Sequence, residues 1–161
     1  MRCAALALAF ALAFTGHGIG SGSVARAERA TLGPHLGYNL DLDDPFLGVE
    51  SRIDLTNVGR SVILQLNPSL SYYFVDNFDL FNFSLNLPFE FVIGGSKLRP
   101  FAAPGLGLFH YSNGGSNTEA ALMLLAGLLF RLGVVDPYVQ LRVAIAEESL
   151  ADLMGGVLFE L

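Results

Sequence analysis

The sequence predicts an all-β protein: an eight-stranded antiparallel up-and-down transmembrane β-barrel that follows a cleaved signal peptide. Three observations lead to this prediction. An export signal opens the chain, and segments of about ten residues with alternating apolar and polar side chains follow it. Within these segments the charged residues all lie on the polar face. Strands of about ten residues are long enough to cross a bilayer when tilted.

Residues 1–27 have the three parts of a signal peptide. Arg2 supplies the positive start, residues 3–14 form an apolar run, and Ala25-Arg26-Ala27 matches the small-residue cleavage pattern. The apolar run is too short to cross a bilayer as a helix. We therefore expect residues 28–161 to form one barrel domain, which has no cysteine because Cys3 lies in the signal.

The composition narrows the classes of partner. The formal net charge is −6 and the only lysine is Lys97, so the balance does not suit a nucleic-acid-binding protein. Hydrophobic residues make up 52% of the chain. After the signal, the longest apolar run is residues 120–130, which is too short for a transmembrane helix. If the protein crosses a membrane, it does so with strands.

Period-two alternation defines the strands. The clearest case places Phe83, Leu85 and Phe89 on one face, with Ser84 and Glu90 on the other. Turns are predicted at residues 41–45, 56–60 and 94–97, where Gly, Pro, Asn or Asp interrupt the pattern. The predicted strands cover residues 32–40, 47–55, 64–74, 82–91, 101–108, 121–132, 137–146 and 156–161.

The sixth strand has a helical alternative over residues 119–132. Asn117, Thr118 and Glu119 precede an apolar run that ends at Gly133, which is also the pattern of a capped helix. Residues 147–154 have some helical character as well. We favour a strand for the sixth segment because Gly127 would weaken a helix interior and because the barrel cannot close without it.

The charges indicate which face points inward. An arginine facing lipid at the bilayer midplane would cost about 2–4 kcal/mol, so a balanced set of charges belongs in the lumen. Tyr73, Phe101 and Gln140 share that face and help to fill it, which predicts a plugged, non-conducting barrel. The predicted lumen charge network consists of Glu50, Arg52, Asp54, Glu90, Arg99, Arg131, Arg142 and Glu160.

Aromatic residues cluster near one set of strand ends. On the lipid-facing interpretation they form an interfacial girdle, and ordinary core packing is the alternative. The cluster comprises Tyr72, Phe74, Phe78, Phe81 and Phe83.

Local motifs add a resemblance to a known family. Gly-Val-Glu-Ser-Arg at residues 48–52, Arg-Pro-Phe-x-x-x-Gly-Leu-Gly at residues 99–107 and the alternating last strand resemble the OmpA- and OmpX-type small outer-membrane barrels. The resemblance implies a monomer in the outer membrane of a Gram-negative bacterium, exported through the periplasm, with both termini periplasmic. It implies contact with outer-membrane lipid, lipopolysaccharide and the barrel-assembly machinery. The family usually ends on an aromatic residue, whereas this chain ends on Leu161.

That topology places the acidic loops outside the cell. We expect a negative rim that holds no tightly bound cofactor, although Ca²⁺ or Mg²⁺ could bind it loosely and bridge it to lipopolysaccharide phosphates. The alternative is a solvated acidic rim without bound ions. The predicted rim acids are Asp41, Asp43, Asp44, Asp76, Asp79, Glu119, Glu147, Glu148 and Asp152.

One segment suggests catalysis. His110-Tyr111-Ser112-Asn113 resembles the His-x-Ser-Asn segment of the lipid A 3-O-deacylases, which are also eight-stranded barrels. In an ester hydrolase Ser112 would be the nucleophile, His110 the base and Glu119 the group that orients the imidazole. The family motif lies on the seventh strand with its glutamate on the eighth, whereas here the match lies on the fifth. We therefore rank a structural or interaction role first and lipid A ester hydrolysis second, with no metal site predicted.

Overall fold

The computed structural model describes residues 29–76, 79–112 and 116–161. The predicted signal peptide and Phe78 lie outside these residues. The described chain is organised as antiparallel strands, and each run of alternating residues in the sequence coincides with one strand, except that the run at residues 82–91 covers two. The strands are β1 (Ala30–Asn39), β2 (Asp44–Val58), β3 (Val62–Tyr73), β4 (Asp79–Asn86), β5 (Phe89–Phe91), β6 (Leu98–Ser112), β7 (Ser116–Phe130), β8 (Val135–Ile145) and β9 (Leu150–Glu160).

The strands form a closed barrel with eight strand positions. Each strand position pairs with the next position along the chain, and β1 pairs with β9, which closes the ring. β4 and β5 lie end to end between β3 and β6 and share one position. Leu87 and Pro88 separate them, because proline has no amide hydrogen to continue the ladder. The predicted eight-stranded antiparallel barrel is confirmed.

The ambiguous sixth segment is the strand β7. It pairs with β6 along its whole length, from Leu98 opposite Phe130 to Ser112 opposite Ser116. Its side chains alternate, with Leu122 exposed and Met123 buried. A helix here would leave the edges of β6 and β8 unpaired, so closure of the sheet overrides the local helical pattern.

Several predicted strand and turn boundaries are wrong. The turn expected at residues 56–60 is shorter, because β2 continues to Val58 beyond a register shift between Asp54 and Thr56. Such a bulge bends the strand and lets pairing resume. The last strand begins at Leu150, so most of the segment with helical character is part of β9.

The two faces of the barrel differ as the alternation predicts. Large apolar side chains cover the outside, and Leu36 and Leu106 are 72% and 70% exposed. The inside is buried and contains both polar and apolar residues. Its larger apolar cluster comprises Phe46, Tyr73, Leu80, Ala103, Phe109, Ala121, Met123, Leu125, Ala144, Leu150 and Met154.

The two ends of the barrel are named here for later use. The terminal end carries Arg29, Leu161 and the connections at residues 59–61, 92–97 and 131–134. The distal end carries the connections at residues 40–43 and 146–149, residues 74–76 after β3, and the strand ends at Asp79, Ser112 and Ser116. The parts of the chain that the structure describes include no helix long and apolar enough to cross a membrane.

Closure of the ring requires glycine at residue 33. A Cβ atom there would overlap the carbonyl group of Val157 on β9. We expect Gly33→Ala to lower the free energy of unfolding by about 1–3 kcal/mol, because backbone atoms at the seam cannot move aside. The measurement is the folded fraction in a urea series, read in detergent from the different gel mobilities of unheated and boiled protein.

Gly94→Ala is the matched control, because a Cβ atom at residue 94 meets no atom within 4 Å. Equal midpoints for the two variants would contradict the close packing of β1 against β9.

Candidate functional site

Three arginines reach across the inside of the barrel at three successive heights. Arg142 lies nearest the distal end, Arg52 lies in the middle and Arg131 lies at the terminal end. Each contacts residues on strands that are not its neighbours in the ring. These three layers are the candidate functional site, because they contain buried ion pairs of the interior.

In the distal layer, Arg142 bridges β8 to β3. Its Nε donates to Asp152 Oδ2 at 2.7 Å, and its Nη2 donates to the Tyr73 hydroxyl at 2.6 Å. The Tyr73 hydroxyl donates to Asp152 Oδ2 at 3.0 Å, and Asn39 Nδ2 donates to Asp152 Oδ1 at 2.7 Å. The buried carboxylate therefore accepts bonds from three different strands, which offsets the cost of removing it from water.

In the middle layer, Arg52 lies between two aromatic rings. Its guanidinium carbon is 4.2 Å from the Phe101 ring centroid and 4.8 Å from that of Tyr138. Its Nε donates to Glu50 Oε1 at 3.0 Å, and its Nη2 donates to Gln140 Oε1 at 3.1 Å. Arg52 and Glu50 come from β2, whereas the other three residues come from β6 and β8. The layer therefore spans the diameter of the barrel.

In the terminal layer, Arg131 binds three acids. Its Nε donates to Glu90 Oε1 at 3.1 Å, and its Nη2 donates to Glu90 Oε2. Its guanidinium also lies 3.4 Å from Asp136 and 3.6 Å from Asp54. Arg29 adds a second cation, 2.8 Å from Asp136. The bidentate pair between Arg131 and Glu90 joins β5 to the segment after β7.

The predicted lumen charges divide between these layers. Glu50 and Arg52 lie in the middle, and Arg142 lies in the distal layer. Five lie at the terminal end: Asp54, Glu90, Arg99, Arg131 and Glu160. Glu160 is the least enclosed, because its side chain is 50% exposed and pairs with Arg29 at 3.3 Å.

Sequence reasoning missed three charged members of the layers. Asp152 was predicted to lie in an exterior loop, but it is a fully buried residue of β9. Asp136 was left outside the seventh strand, and Arg29 lies just before β1. The signal for the two acids was present, since Asp152 is two residues before Met154 and Asp136 is two before Tyr138. Period-two alternation continued to the true strand ends places both inside.

The acid proposed for catalysis lies apart from the other two candidates. His110 and Ser112 are exposed on the outer face of β6. The His110 ring Nδ1 lies 3.0 Å from the Thr118 hydroxyl on β7. Glu119 follows the inward parity of β7, and its carboxylate accepts a hydrogen bond from the backbone N–H of Glu147 at 2.9 Å. The geometry therefore supplies a hydroxyl and an imidazole on one face without the predicted carboxylate behind them.

The predicted acidic rim is partly engaged in local bonds. Asp43 accepts a bond from the Tyr38 hydroxyl at 2.6 Å, and Asp79 accepts one from the Tyr72 hydroxyl at 2.8 Å. Asp41 accepts a bond from the Ala151 amide at 2.6 Å. Within the described ranges, no three His, Cys, Asp or Glu side chains lie close enough together to hold a metal ion.

A cavity of about 430 Å³ opens at the terminal end. Arg29, Arg99 and Arg131 contribute cations to its wall, and Asp54, Glu90 and Glu160 contribute carboxylates. The β2–β3 hairpin extends the wall through residues 55–57 and Ile63. Towards the distal end the interior changes character, because the buried apolar cluster around Phe46, Phe109 and Met123 fills it.

The sequence matches no protein-family model and no curated protein. Solved structures resemble the barrel closely. The N-terminal β-barrel domain of Pseudomonas aeruginosa OprF has a TM-score of 0.70 at 18% identity, covering 83% of this chain and 97% of that one. Ail, the attachment invasion locus protein of Yersinia pestis, has a TM-score of 0.58 at 14% identity, covering 83% and 99%. The outer membrane enzyme PagL has a TM-score of 0.53 at 15% identity, with the same coverage as Ail.

The chain has the fold of the small outer-membrane β-barrels. This confirms the fold class predicted from the sequence and the resemblance to the small outer-membrane barrels. At these identities the likeness concerns the fold alone, so residue roles and activity do not transfer from the three proteins to this barrel.

The distal layer provides a test of the buried charges. We expect Arg142→Met to lower the free energy of unfolding by about 3–5 kcal/mol, because it leaves the Asp152 carboxylate buried without its cation. The double variant Arg142→Met with Asp152→Leu should recover most of this loss, since both charges are then removed together. Circular dichroism in a urea series measures both.

Arg60→Gln is the control, because Arg60 is exposed in the turn between β2 and β3. If Arg142→Met lowers the free energy of unfolding no more than Arg60→Gln does, the distal layer contributes little to stability.

Proposed function

We propose that this protein is a monomeric outer-membrane β-barrel with a non-conducting interior and a structural or interaction role in the cell envelope of a Gram-negative bacterium. In this proposal the signal peptide directs export to the periplasm and the barrel-assembly machinery inserts the protein. Both termini face the periplasm, and the acidic distal rim faces lipopolysaccharide, with loosely bound Mg²⁺ or Ca²⁺ between their negative charges.

The membrane location is supported by the outer surface. Leucine, valine, isoleucine and phenylalanine side chains are exposed along every strand position, and water would solvate such a surface poorly. A lipid bilayer would remove this penalty, and the alternation of outward apolar with inward polar residues is typical of transmembrane strands. One of the solved structures that share the fold, PagL, is described as an outer membrane enzyme.

The closed interior is supported most strongly by the middle layer. Arg52, Phe101 and Tyr138 come from three non-adjacent strands and meet within 5 Å at the centre of the barrel. Arg52 and Phe101 are nearly fully buried. An eight-stranded barrel is narrow enough for side chains to fill it, so ions would have to displace this stack and break the Arg52–Glu50 ion pair.

The test is electrical recording on refolded protein in planar bilayers. We expect no steady single-channel current, because the three layers and the distal apolar cluster obstruct the lumen. The gel-mobility shift on boiling must first establish that the sample is folded, and vesicle flotation that it inserts. A stable large conductance from protein that passes both checks would contradict the closed interior.

Lipid A ester hydrolysis is the second candidate. It is favoured by His110 and Ser112, which share the exposed outer face near the distal end of β6, where outer-leaflet lipid would lie in the proposed orientation. It ranks second because Glu119 bonds to the Glu147 amide, whereas a serine hydrolase needs a group that orients its imidazole.

We expect lipid A incubated with the refolded protein to keep all its ester-linked chains, as measured by mass spectrometry of the extracted lipid. Ser112→Ala and His110→Gln should give the same lipid profile as the unchanged protein. Loss of a chain that either variant abolishes would reverse the ranking of the two functions.

A further inference from the structure

The cavity at the terminal end has no part in the proposed non-conducting role. The middle layer already obstructs the lumen, so a barrel that served only as a closed scaffold would not need an open, charged cavity below that layer. The cavity wall combines guanidinium and carboxylate groups from β2, β5, β6 and β9 and from the segments that flank β1 and β7. Its hydrogen-bond pairing shows which of these groups remain available to a ligand.

Arg99 has unused donor capacity. Its side chain is only 21% exposed, and its Nε and Nη1 atoms are buried without a hydrogen-bond partner among the described residues. Its nearest acid is Glu90, whose Oε1 lies 4.0 Å from Arg99 Nε. Glu90 already accepts two bonds from Arg131 and one from Gln65 Nε2. The partly exposed Arg99 side chain lines the cavity, so its guanidinium can pair with an oxyanion that enters. Its Nε and Nη1 atoms are buried and would reach that oxyanion by turning towards the cavity, which their lack of a partner favours.

Two carboxylates on the same wall have unused acceptor capacity. Asp54 and Glu160 are 24% and 50% exposed, in contrast to the buried Glu90 and Asp136. Asp54 Oδ1 accepts a bond from Gln65 at 2.7 Å, and Glu160 Oε2 lies 3.3 Å from Arg29. A carboxylate can accept about four hydrogen bonds, so both acids could also bind a cationic group.

The charges on the cavity wall are balanced, which disfavours a simple anion. Three arginines (Arg29, Arg99 and Arg131) and three acids (Asp54, Glu90 and Glu160) line the cavity. A ligand with only negative charge would gain Arg99 but would be repelled by the carboxylates that have unused acceptor capacity. A ligand that carries both charges and has no net charge would pair with Arg99 and with these carboxylates together.

We propose that the terminal-end cavity binds a small zwitterion, a free amino acid or a short peptide, with its carboxylate on Arg99 and its ammonium group on Asp54 and Glu160. The cavity of about 430 Å³ lies within the range of small-molecule sites, which is about 300–1,000 Å³. Both charged ends of the ligand are needed, because each matches a different unused group. The site opens at the terminal end, which carries Arg29 and Leu161.

The probe for the test is L-alanyl-L-alanine with both ends free, titrated into folded protein in detergent and followed by isothermal calorimetry and NMR. We expect saturable binding that is weakened at least tenfold by either N-acetylation or C-amidation, because each removes one charge-assisted contact. Arg99→Gln should weaken binding of the free dipeptide at least tenfold, and Asp54→Asn should do the same.

The matched controls are Arg60→Gln at the exposed turn of the same end and Asp76→Asn at the distal end, neither of which lines the cavity. Both should bind as the unchanged protein does, and all variants must pass the gel-mobility check for folding. No saturable binding, equal binding of the blocked peptides, or binding unaffected by Arg99→Gln would each overturn the proposal. The conductance recording tests the proposed non-conducting role, and the dipeptide titration tests the proposed binding site. A failure of one proposal can therefore be distinguished from a failure of the other.

Discussion

The interior of this barrel depends on one electrostatic constraint: a charge removed from water must meet its counter-charge inside the ring. Arg142 meets Asp152, Arg52 meets Glu50 and Arg131 meets Glu90, each within hydrogen-bond distance. Most groups that complete these layers come from distant parts of the sequence, as when Tyr73 approaches Arg142 from the opposite wall. The Arg52–Glu50 pair lies within β2 and the Arg142–Asp152 pair within the β8–β9 hairpin, but the layers are complete only once β1 pairs with β9 and closes the ring.

The same constraint explains why the faces of the strands are so unequal. The outer positions need only be apolar, and leucine, valine and phenylalanine satisfy that need interchangeably. At the inner positions, by contrast, the neighbouring side chains determine which residue fits. Gly48 leaves space for the His35 ring, and Gly156 leaves space for the Tyr138 ring, since a Cβ atom at either residue would overlap the aromatic neighbour. Glycine thus allows bulky side chains to cross a narrow lumen.

Much of the fold followed from the sequence, because a period of two fixes which face each side chain occupies and one charged residue facing lipid is expensive. The ends of the strands were harder to predict. The bulge after Asp54 and the early start of β9 depend on pairing between strands, which local pattern does not report. The charge layers were only partly predictable for the same reason. The alternation of residues along β8 identified Arg142 as facing inward, but the sequence placed its partner Asp152 in a loop. The unpaired donors of Arg99 could be recognised only from the structure, in which Glu90 already pairs with Arg131.

The change from polar to apolar packing along the interior gives the barrel a direction. The cavity opens at the terminal end, and the apolar cluster around Phe46 and Phe109 closes the way to the distal end. In the proposed non-conducting barrel, a solute that enters the cavity leaves by the opening through which it came. Occupancy of the cavity would then equilibrate with one compartment only and would not report the solutes that surround the other end.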